Sequence, residues 1–158
     1  LVETITTTGA STVDLTGFSS AHNDYMLILS DVKNSSTSAM TSIYYRLKLN
    51  NSWDTYSEYY QITLYSANAT SSSTQGGSND AARMVYSPNT GTTSNMTYYI
   101  NNTNSSSRKH IHGTGMSDNR RIQLGSYKNS NSPIQGIRIY MSGGNIIGTF
   151  SLYGLAKS

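Results

Sequence analysis

Apolar side chains in this chain recur at every second position, which is the spacing of a β-strand. The clearest example is SIYYRLKLN, residues 42–50, in which Ile43 and Leu47 share one face while Arg46 falls on the other. No window of about 11 residues places apolar side chains at the i, i+3, i+4 and i+7 positions of an amphipathic helix. The chain must therefore bury its apolar side chains by packing sheets against each other.

Short candidate strands follow one another roughly every ten residues, separated by clusters of Gly, Asn, Asp and Ser. This spacing predicts an all-β fold, and we expect a jelly-roll-like β-sandwich formed by a single domain over residues 1–158. The chain begins with Leu1, and we expect the domain to be either processed or the C-terminal part of a longer chain. The longest polar stretch, Ser66–Asp80, is predicted to be a surface loop.

The chain ends in an apolar segment, although its surroundings are rich in Ser, Thr and Asn. Phe150 and Leu152 point to one face of this segment. Ile147, Tyr153 and Leu155 point to the other. Apolar groups on both faces predict a strand that is paired inside a sheet. We expect one face to lie on the core and the other to form an interface with a sister sheet or a neighbouring chain.

The charge is sparse and weakly positive, with 11 Lys and Arg against 8 Asp and Glu. The basic residues are dispersed, and without a basic stripe or a recognised motif we expect no nucleic-acid partner. No apolar run approaches the ~20 residues of a membrane-spanning helix, so membrane insertion is not expected either. The chain has no cysteine, which excludes disulfides and thiolate chemistry.

Few residues offer catalytic chemistry. Asp54 and Glu58 lie close together in WDTYSEYY, and a glycosidase needs two carboxylates that flank one bond. We interpret this pair as solvated loop acids beside a strand. The sequence also lacks the nucleophile elbow, the phosphate-binding glycine loop and the His-Glu-x-x-His motif. We therefore predict that the chain is not an enzyme.

Two histidines in KHIHG, His110 and His112, fall on the same face of a predicted strand. Two ligands do not complete a metal site, so a third would have to come from His22, from a carboxylate or from another chain of an oligomer. We interpret the pair as exposed polar strand residues and expect no cofactor. A metal shared between chains of an oligomer is the alternative.

Aromatic residues gather around the only tryptophan of the chain. Trp53, Tyr56 and Tyr59, together with Asp54, could form a platform on which a sugar stacks. The alternative is that these rings pack at a sheet edge or form a subunit interface. We favour the alternative, and the sequence leaves both open.

Four segments carry a resemblance to a known kind of protein: residues 1–18, 25–32, 42–60 and 132–156. In that order they resemble a recurring bacteriophage virion module found in tail-fibre, appendage and capsid-surface proteins. Such modules end in a strand of the form Ser-Gly-Thr-Phe-Ser-Leu-Tyr-Gly, and this chain departs from it with Ile147 in place of the usual Ser. Residues 67–131 match only in character.

The resemblance implies a β-sandwich that assembles on the exterior of a virion, as a trimer, in contact with other virion proteins. The leading hypothesis is a non-enzymatic structural protein, either an external tail-fibre-like appendage or a capsid-decorating module. The alternatives are a domain that recognises a host surface polysaccharide and a carbohydrate-binding module of a secreted protein.

Overall fold

The computed structural model describes residues 1–36, 42–55, 59–67, 70–79, 81–86, 93–117 and 120–156. Within these ranges the chain forms thirteen strands and no helix. No described segment is a helix long and apolar enough to cross a membrane. In chain order the strands are β1 (Glu3–Ala10), β2 (Thr12–Leu15), β3 (Tyr25–Asn34), β4 (Ser42–Leu49), β5 (Ser52–Trp53), β6 (Tyr59–Ala67), β7 (Thr70–Asn79), β8 (Ala82–Tyr86), β9 (Ser94–Asn101), β10 (Lys109–Ser117), β11 (Arg120–Lys128), β12 (Ile134–Met141) and β13 (Ile146–Gly154).

The strands form two antiparallel sheets. The eight-stranded sheet has the order β1-β13-β3-β9-β10-β11-β6-β7. The five-stranded sheet has the order β2-β12-β4-β5, and β8 pairs with β4 beside β5. The sheets pack as a sandwich, which confirms the all-β prediction, and the strand order is compatible with a jelly roll without establishing one.

The core lies between the inner faces of the two sheets. On the five-stranded sheet, Ile43 and Leu47 of β4 are completely buried beside Ile137 and Ile139 of β12. On the eight-stranded sheet, the inner faces of β3, β9 and β13 contribute to the same buried cluster. β9 alternates buried with exposed or half-buried residues along its length, as the sequence predicts. β3 does so except at Ser30–Asp31, and β4 does so except at its ends, Ser42–Ile43 and Lys48–Leu49.

The last strand is integrated into the eight-stranded sheet, where β13 pairs with β1 on one side and β3 on the other. Phe150 and Leu152 are completely buried in the core. Ile147 and Tyr153 are half-buried on the outer face, and Leu155, also half-buried, follows the end of the strand. The prediction of a strand paired inside a sheet is confirmed. The outer face points away from the five-stranded sheet, so no sister sheet of this chain covers it in the described part.

The prediction of a surface loop at Ser66–Asp80 is wrong, because β7 occupies Thr70–Asn79 and pairs with β6 as a hairpin. β7 is the edge strand of its sheet, so one side of its backbone is satisfied by β6 and the other needs no partner strand. Such a strand can consist of Ser, Thr and Gly, since main-chain hydrogen bonds and not apolar burial hold it in place.

Strands β9 and β10 approach each other closely at two glycines. A Cβ atom added to Gly113 would lie 2.1 Å from the carbonyl oxygen of Thr97, and one added to Gly115 would lie 2.3 Å from that of Asn95. Both glycines face residues of β9 across the pair. No larger residue fits at either position unless the two strands separate.

We predict that Gly113→Ala lowers the free energy of unfolding by about 2–3 kcal/mol, because the new methyl group forces the β9–β10 pair apart. The matched control is Gly125→Ala on β11, where an added Cβ meets nothing within 4 Å. The control should change stability by less than about 0.5 kcal/mol. Urea denaturation of both variants measures the difference, and equal midpoints would contradict the steric argument.

Candidate functional site

A groove lies at the end of the five-stranded sheet, beside the hairpin that joins β4 to β5. The two turn residues, Asn50 and Asn51, have φ angles of 50° and 63°, as a two-residue hairpin of the type I′ class requires. The turn carries Trp53 back along β4. The groove has a volume of about 510 Å³ and is lined by Leu49, Asn50, Ser52, Trp53, Asp54, Thr55, Lys128, Asn129 and Ser130.

Trp53 is half-buried, and cations flank its ring. The guanidinium carbon of Arg138 lies 4.4 Å from the ring centroid, and the ammonium of Lys48 lies 6.0 Å from it. The ring reaches across β4 to Gly136 of β12, where an added Cβ would lie 3.3 Å from the Cη2 atom of Trp53. Trp53 therefore belongs to a cationic surface as well as to the groove.

Asp54 and Tyr59 are buried next to the groove and have structural roles. Asp54 is 7% exposed, and its carboxylate lies 2.8 Å from the ammonium of Lys128. It is therefore not the solvated loop acid that the sequence predicts. Tyr59 is completely buried, its hydroxyl accepts a hydrogen bond of 2.8 Å from the Leu47 amide, and Lys128 lies 4.9 Å from its ring. The pair connects β11 of the eight-stranded sheet to the residue that follows β5 of the five-stranded sheet, and it offers no carboxylate to a substrate.

The predicted aromatic platform consequently reduces to Trp53 among the described residues. Tyr59 cannot stack on a ligand because its ring is in the core. Tyr56 and Glu58 lie outside the described residues.

A second lysine is buried at the same end of the sandwich. Lys109 on β10 lies directly opposite Lys128 on β11, and both side chains point inward. The Lys109 ammonium donates to the carbonyl oxygen of Asn102 at 3.0 Å and to that of Ser105. Burial lowers the pKa of Lys109. Carbonyl oxygens thus take the place that a carboxylate fills for Lys128.

The predicted histidine pair lies on the outer face of the eight-stranded sheet. His112 stacks on Tyr99 at 5.5 Å between ring centroids, and its Nε2 atom is 3.1 Å from the side-chain oxygen of Asn101. His110 is exposed on the same face. His22 is engaged elsewhere, with its Nδ1 atom 2.9 Å from the carbonyl oxygen of Leu155. Among the described residues, no three His, Asp or Glu side chains come together as a metal site would require.

The outer face of the eight-stranded sheet also exposes large apolar side chains. Ile62 is 50% exposed, Leu64 45% and Met116 48%. Two exposed tyrosines, Tyr60 on β6 and Tyr99 on β9, extend this surface. These five residues define what we call the β6–β10 patch.

The outer face of the five-stranded sheet is basic and aromatic, and the sequence prediction missed it as a unit. Its cations come from β4, β8 and β12, and its rings from β4, β5 and β12. The sequences of β4 and β12 indicate this composition, because Tyr and Arg alternate with the buried residues in each strand. What the sequence does not show is that β4 and β12 are neighbours. The residues are Tyr44, Arg46, Lys48, Trp53, Arg83, Arg138 and Tyr140.

Comparison with known proteins identified no relative: no protein-family model matches the chain, and no curated protein or solved structure matches it significantly.

Two buried tyrosines predict how stability depends on alkaline pH. Burial raises the pKa of Tyr45, whose hydroxyl lies 2.6 Å from that of Ser126, and burial also raises the pKa of Tyr59. Both hydroxyls therefore ionise far more readily in the unfolded chain, where the pKa of tyrosine is about 10. The contribution of the two un-ionised hydroxyls to the free energy of unfolding is fully present below pH ~10. It falls as the pH rises above that value, by about 1.4 kcal/mol per tyrosine per pH unit.

We expect the Tyr45→Phe/Tyr59→Phe variant to be less stable at neutral pH, because it loses two buried hydrogen bonds, and to lose less stability between pH 10 and pH 11. Urea denaturation across this range measures the slope. Tyr60→Phe makes the same chemical change at an exposed position and serves as the control. A double variant with the slope of the unmodified protein would contradict the assignment.

Proposed function

We propose that this chain is a non-enzymatic structural module on the exterior of a bacteriophage particle, an appendage or a capsid-decorating domain, which associates with copies of itself and with other virion proteins. The observation that carries the proposal is the β6–β10 patch. The resemblance of residues 1–18, 25–32, 42–60 and 132–156 to virion modules supports the assignment to a phage particle.

The composition of the patch favours protein contact. Exposed apolar surface on a monomer marks an interaction site, and Tyr and Met are enriched at the centres of protein interfaces. The patch is flat because it lies on the face of a sheet, and Gly125 of β11 leaves open space between β6 and β10. Exposed polar side chains of β10 and β11, including Arg121 and Gln123, lie between Ile62 and Leu64 on β6 and Met116 on β10. A mixed sheet face of this kind can be covered by the same surface or by another face of a second copy. We propose a trimer, in which each copy covers the patch of its neighbour.

Few described side chains could support a catalytic function. Asp54 is paired with Lys128 and is buried. Among the described residues, the outer faces offer aromatic, apolar and basic side chains rather than a pair of carboxylates around a cleft. This arrangement suits binding and assembly.

A second candidate function is sugar recognition at the groove of Trp53. The half-buried indole, with the Arg138 guanidinium 4.4 Å from its ring centroid, lies beside Asn50, Asn129 and Ser130. Together they supply a ring and hydrogen-bonding groups, the combination with which proteins bind sugars. The ligand would be a surface polysaccharide of the bacterial host, or the polysaccharide bound by a secreted protein.

We predict that the purified chain has a solution mass of three times 17.2 kDa, measured by light scattering. Ile62→Asp/Leu64→Asp should convert the trimer to a monomer, because it places two charges in the apolar contact. The control is Thr4→Asp/Thr6→Asp, which adds the same charge at exposed positions of β1, the strand at the other edge of the same sheet.

A monomeric unmodified chain would contradict self-association. We expect EDTA to leave the mass unchanged, because the His110 and His112 side chains have no third ligand within the described part of the chain. Dissociation by EDTA would overturn this expectation and assign the pair to a metal shared between copies.

For the second candidate, we predict that Trp53→Ala abolishes binding to an array of bacterial surface polysaccharides while the urea midpoint shifts only modestly. Asn129→Ala, which shortens a side chain on the opposite side of the groove, should weaken binding less. Unchanged binding by both variants would remove the groove from consideration.

A further inference from the structure

We infer that the buried side chains of Lys128 and Asp54 condense in the folded chain to an amide, an isopeptide bond that joins the two sheets covalently. The Lys128 nitrogen lies 2.8 Å from a carboxylate oxygen of Asp54, and the two side chains are 4% and 6% exposed. The inference does not depend on self-association or on sugar binding, because neither residue belongs to the β6–β10 patch and the bond needs no ligand.

The two atoms that would bond are within reach of each other. The carboxyl carbon of Asp54 is bonded to the contacted oxygen at about 1.2 Å, so it lies within about 4 Å of the Lys128 nitrogen. Attack on the carbon needs an approach to about 3–3.5 Å, which is a shift of about 1 Å or less. The fold therefore holds the amine close to the position from which it attacks.

Main-chain hydrogen bonds fix both residues in this arrangement. The Asp54 amide donates to the carbonyl oxygen of Leu47 at 2.9 Å, which attaches Asp54 to β4. Lys128 is the last residue of β11 and pairs with Lys109 on one side and with Tyr59 on the other. Two reactants that are held together in this way react far faster than the same groups free in solution, because the entropy of bringing them together has been lost on folding.

Burial favours the amide over the ion pair. An ammonium and a carboxylate that are removed from water lose hydration free energy, and their mutual attraction recovers only part of it. The amide carries no net charge, and the water that the reaction releases returns to solvent. Because the chain has no cysteine, it cannot link its sheets by a disulfide, and this amide supplies a covalent link in its place.

The reaction balances without an added reagent. The Lys128 ammonium first gives one proton to the Asp54 carboxylate across the contact, which leaves an uncharged amine and a carboxylic acid. The amine nitrogen forms a bond to the carboxyl carbon, and the bond from that carbon to its hydroxyl oxygen breaks. The nitrogen loses a second proton, which leaves with that oxygen as water. Nothing is oxidised or reduced, and the chain loses one water molecule.

The hydroxyl of Tyr59 can stabilise the intermediate of this reaction. It accepts a hydrogen bond of 2.8 Å from the Leu47 amide, which leaves its own proton for donation. Burial raises the pKa of Tyr59, and Asp54 raises it further because the protonated hydroxyl donates to the carboxylate. A donor at the carboxyl group stabilises the negative charge that develops on oxygen when the amine attacks.

Lys109 is a buried lysine at the same end of the sandwich that cannot react in this way. Its ammonium donates to the main-chain carbonyl oxygens of Asn102 and Ser105. Attack on a main-chain carbonyl would cut the chain, and an amide reacts with an amine far less readily than a carboxylic acid does in a dry site. We therefore expect the bond at Lys128 and not at Lys109.

The test is the mass of the denatured full chain by electrospray mass spectrometry. We expect a mass that is lower than that of the sequence by one water molecule. Trypsin does not cleave after an acylated lysine, so the digest should contain a branched peptide that joins residues 49–83 to residues 122–138, with fragment ions that place the branch at Asp54. A folded chain that still has the full sequence mass after several days of incubation would overturn the inference.

Two variants and a matched control assign the bond to its residues. Lys128→Arg keeps a positive charge next to Asp54 but removes the amine, and Asp54→Ala removes the carboxyl group, so both should have the full mass of their sequences. Lys109→Arg is the control and should keep the loss of one water. Loss of water in either of the first two variants would overturn the assignment. Unfolding curves check that all three variants fold.

The part played by Tyr59 is tested by the rate at which the lighter product forms after cell-free synthesis. Tyr59→Phe should form it about tenfold or more slowly than the unmodified chain, because the donor at the carboxyl group is lost. Tyr60→Phe makes the same change at an exposed ring and should not alter the rate. Equal rates in the two variants would overturn the role assigned to Tyr59.

Discussion

The alternation of side chains along β4 and β12 couples the interior of this protein to its surface. A register that buries Ile137 and Ile139 against the other sheet must turn Arg138 and Tyr140 outward. A shift of one residue would place an arginine in the core, so hydrophobic burial fixes the register strongly. The basic and aromatic surface is therefore held by the free energy of the core, and it needs no separate scaffold.

Buried polar groups fix one end of the sandwich in a similar way. Lys128 comes from one sheet, and Asp54 follows the last strand of the other. Removing either partner would break the ion pair and leave the other charge buried in a region where the Tyr59 ring and hydroxyl also pack. The ion pair thereby sets how the β4–β5 hairpin sits against the eight-stranded sheet, and with it the shape of the groove at Trp53.

The sequence predicts the strands whose apolar residues alternate, including β4, β12 and the integrated last strand, because their pattern reflects burial directly. It does not predict β7, whose polar residues are held by main-chain hydrogen bonds with β6. It also does not predict that Asp54 is buried, since the partner Lys128 is far away along the chain. The basic surface escapes prediction for the same reason: Arg46 and Arg138 become neighbours only through the pairing of two distant strands.

The pairing of the first strand with the last has a mechanical consequence. Glu3 lies opposite Leu152 and Ala10 opposite Ile146, so the start of β1 and the end of β13 lie side by side. The hydrogen bonds of an antiparallel pair run perpendicular to the strands. A force that pulls the two ends of the chain apart therefore acts along these bonds and loads them one at a time, as in opening a zipper. A force applied elsewhere on the domain, for example through the outer face of either sheet, would be shared among many bonds at once.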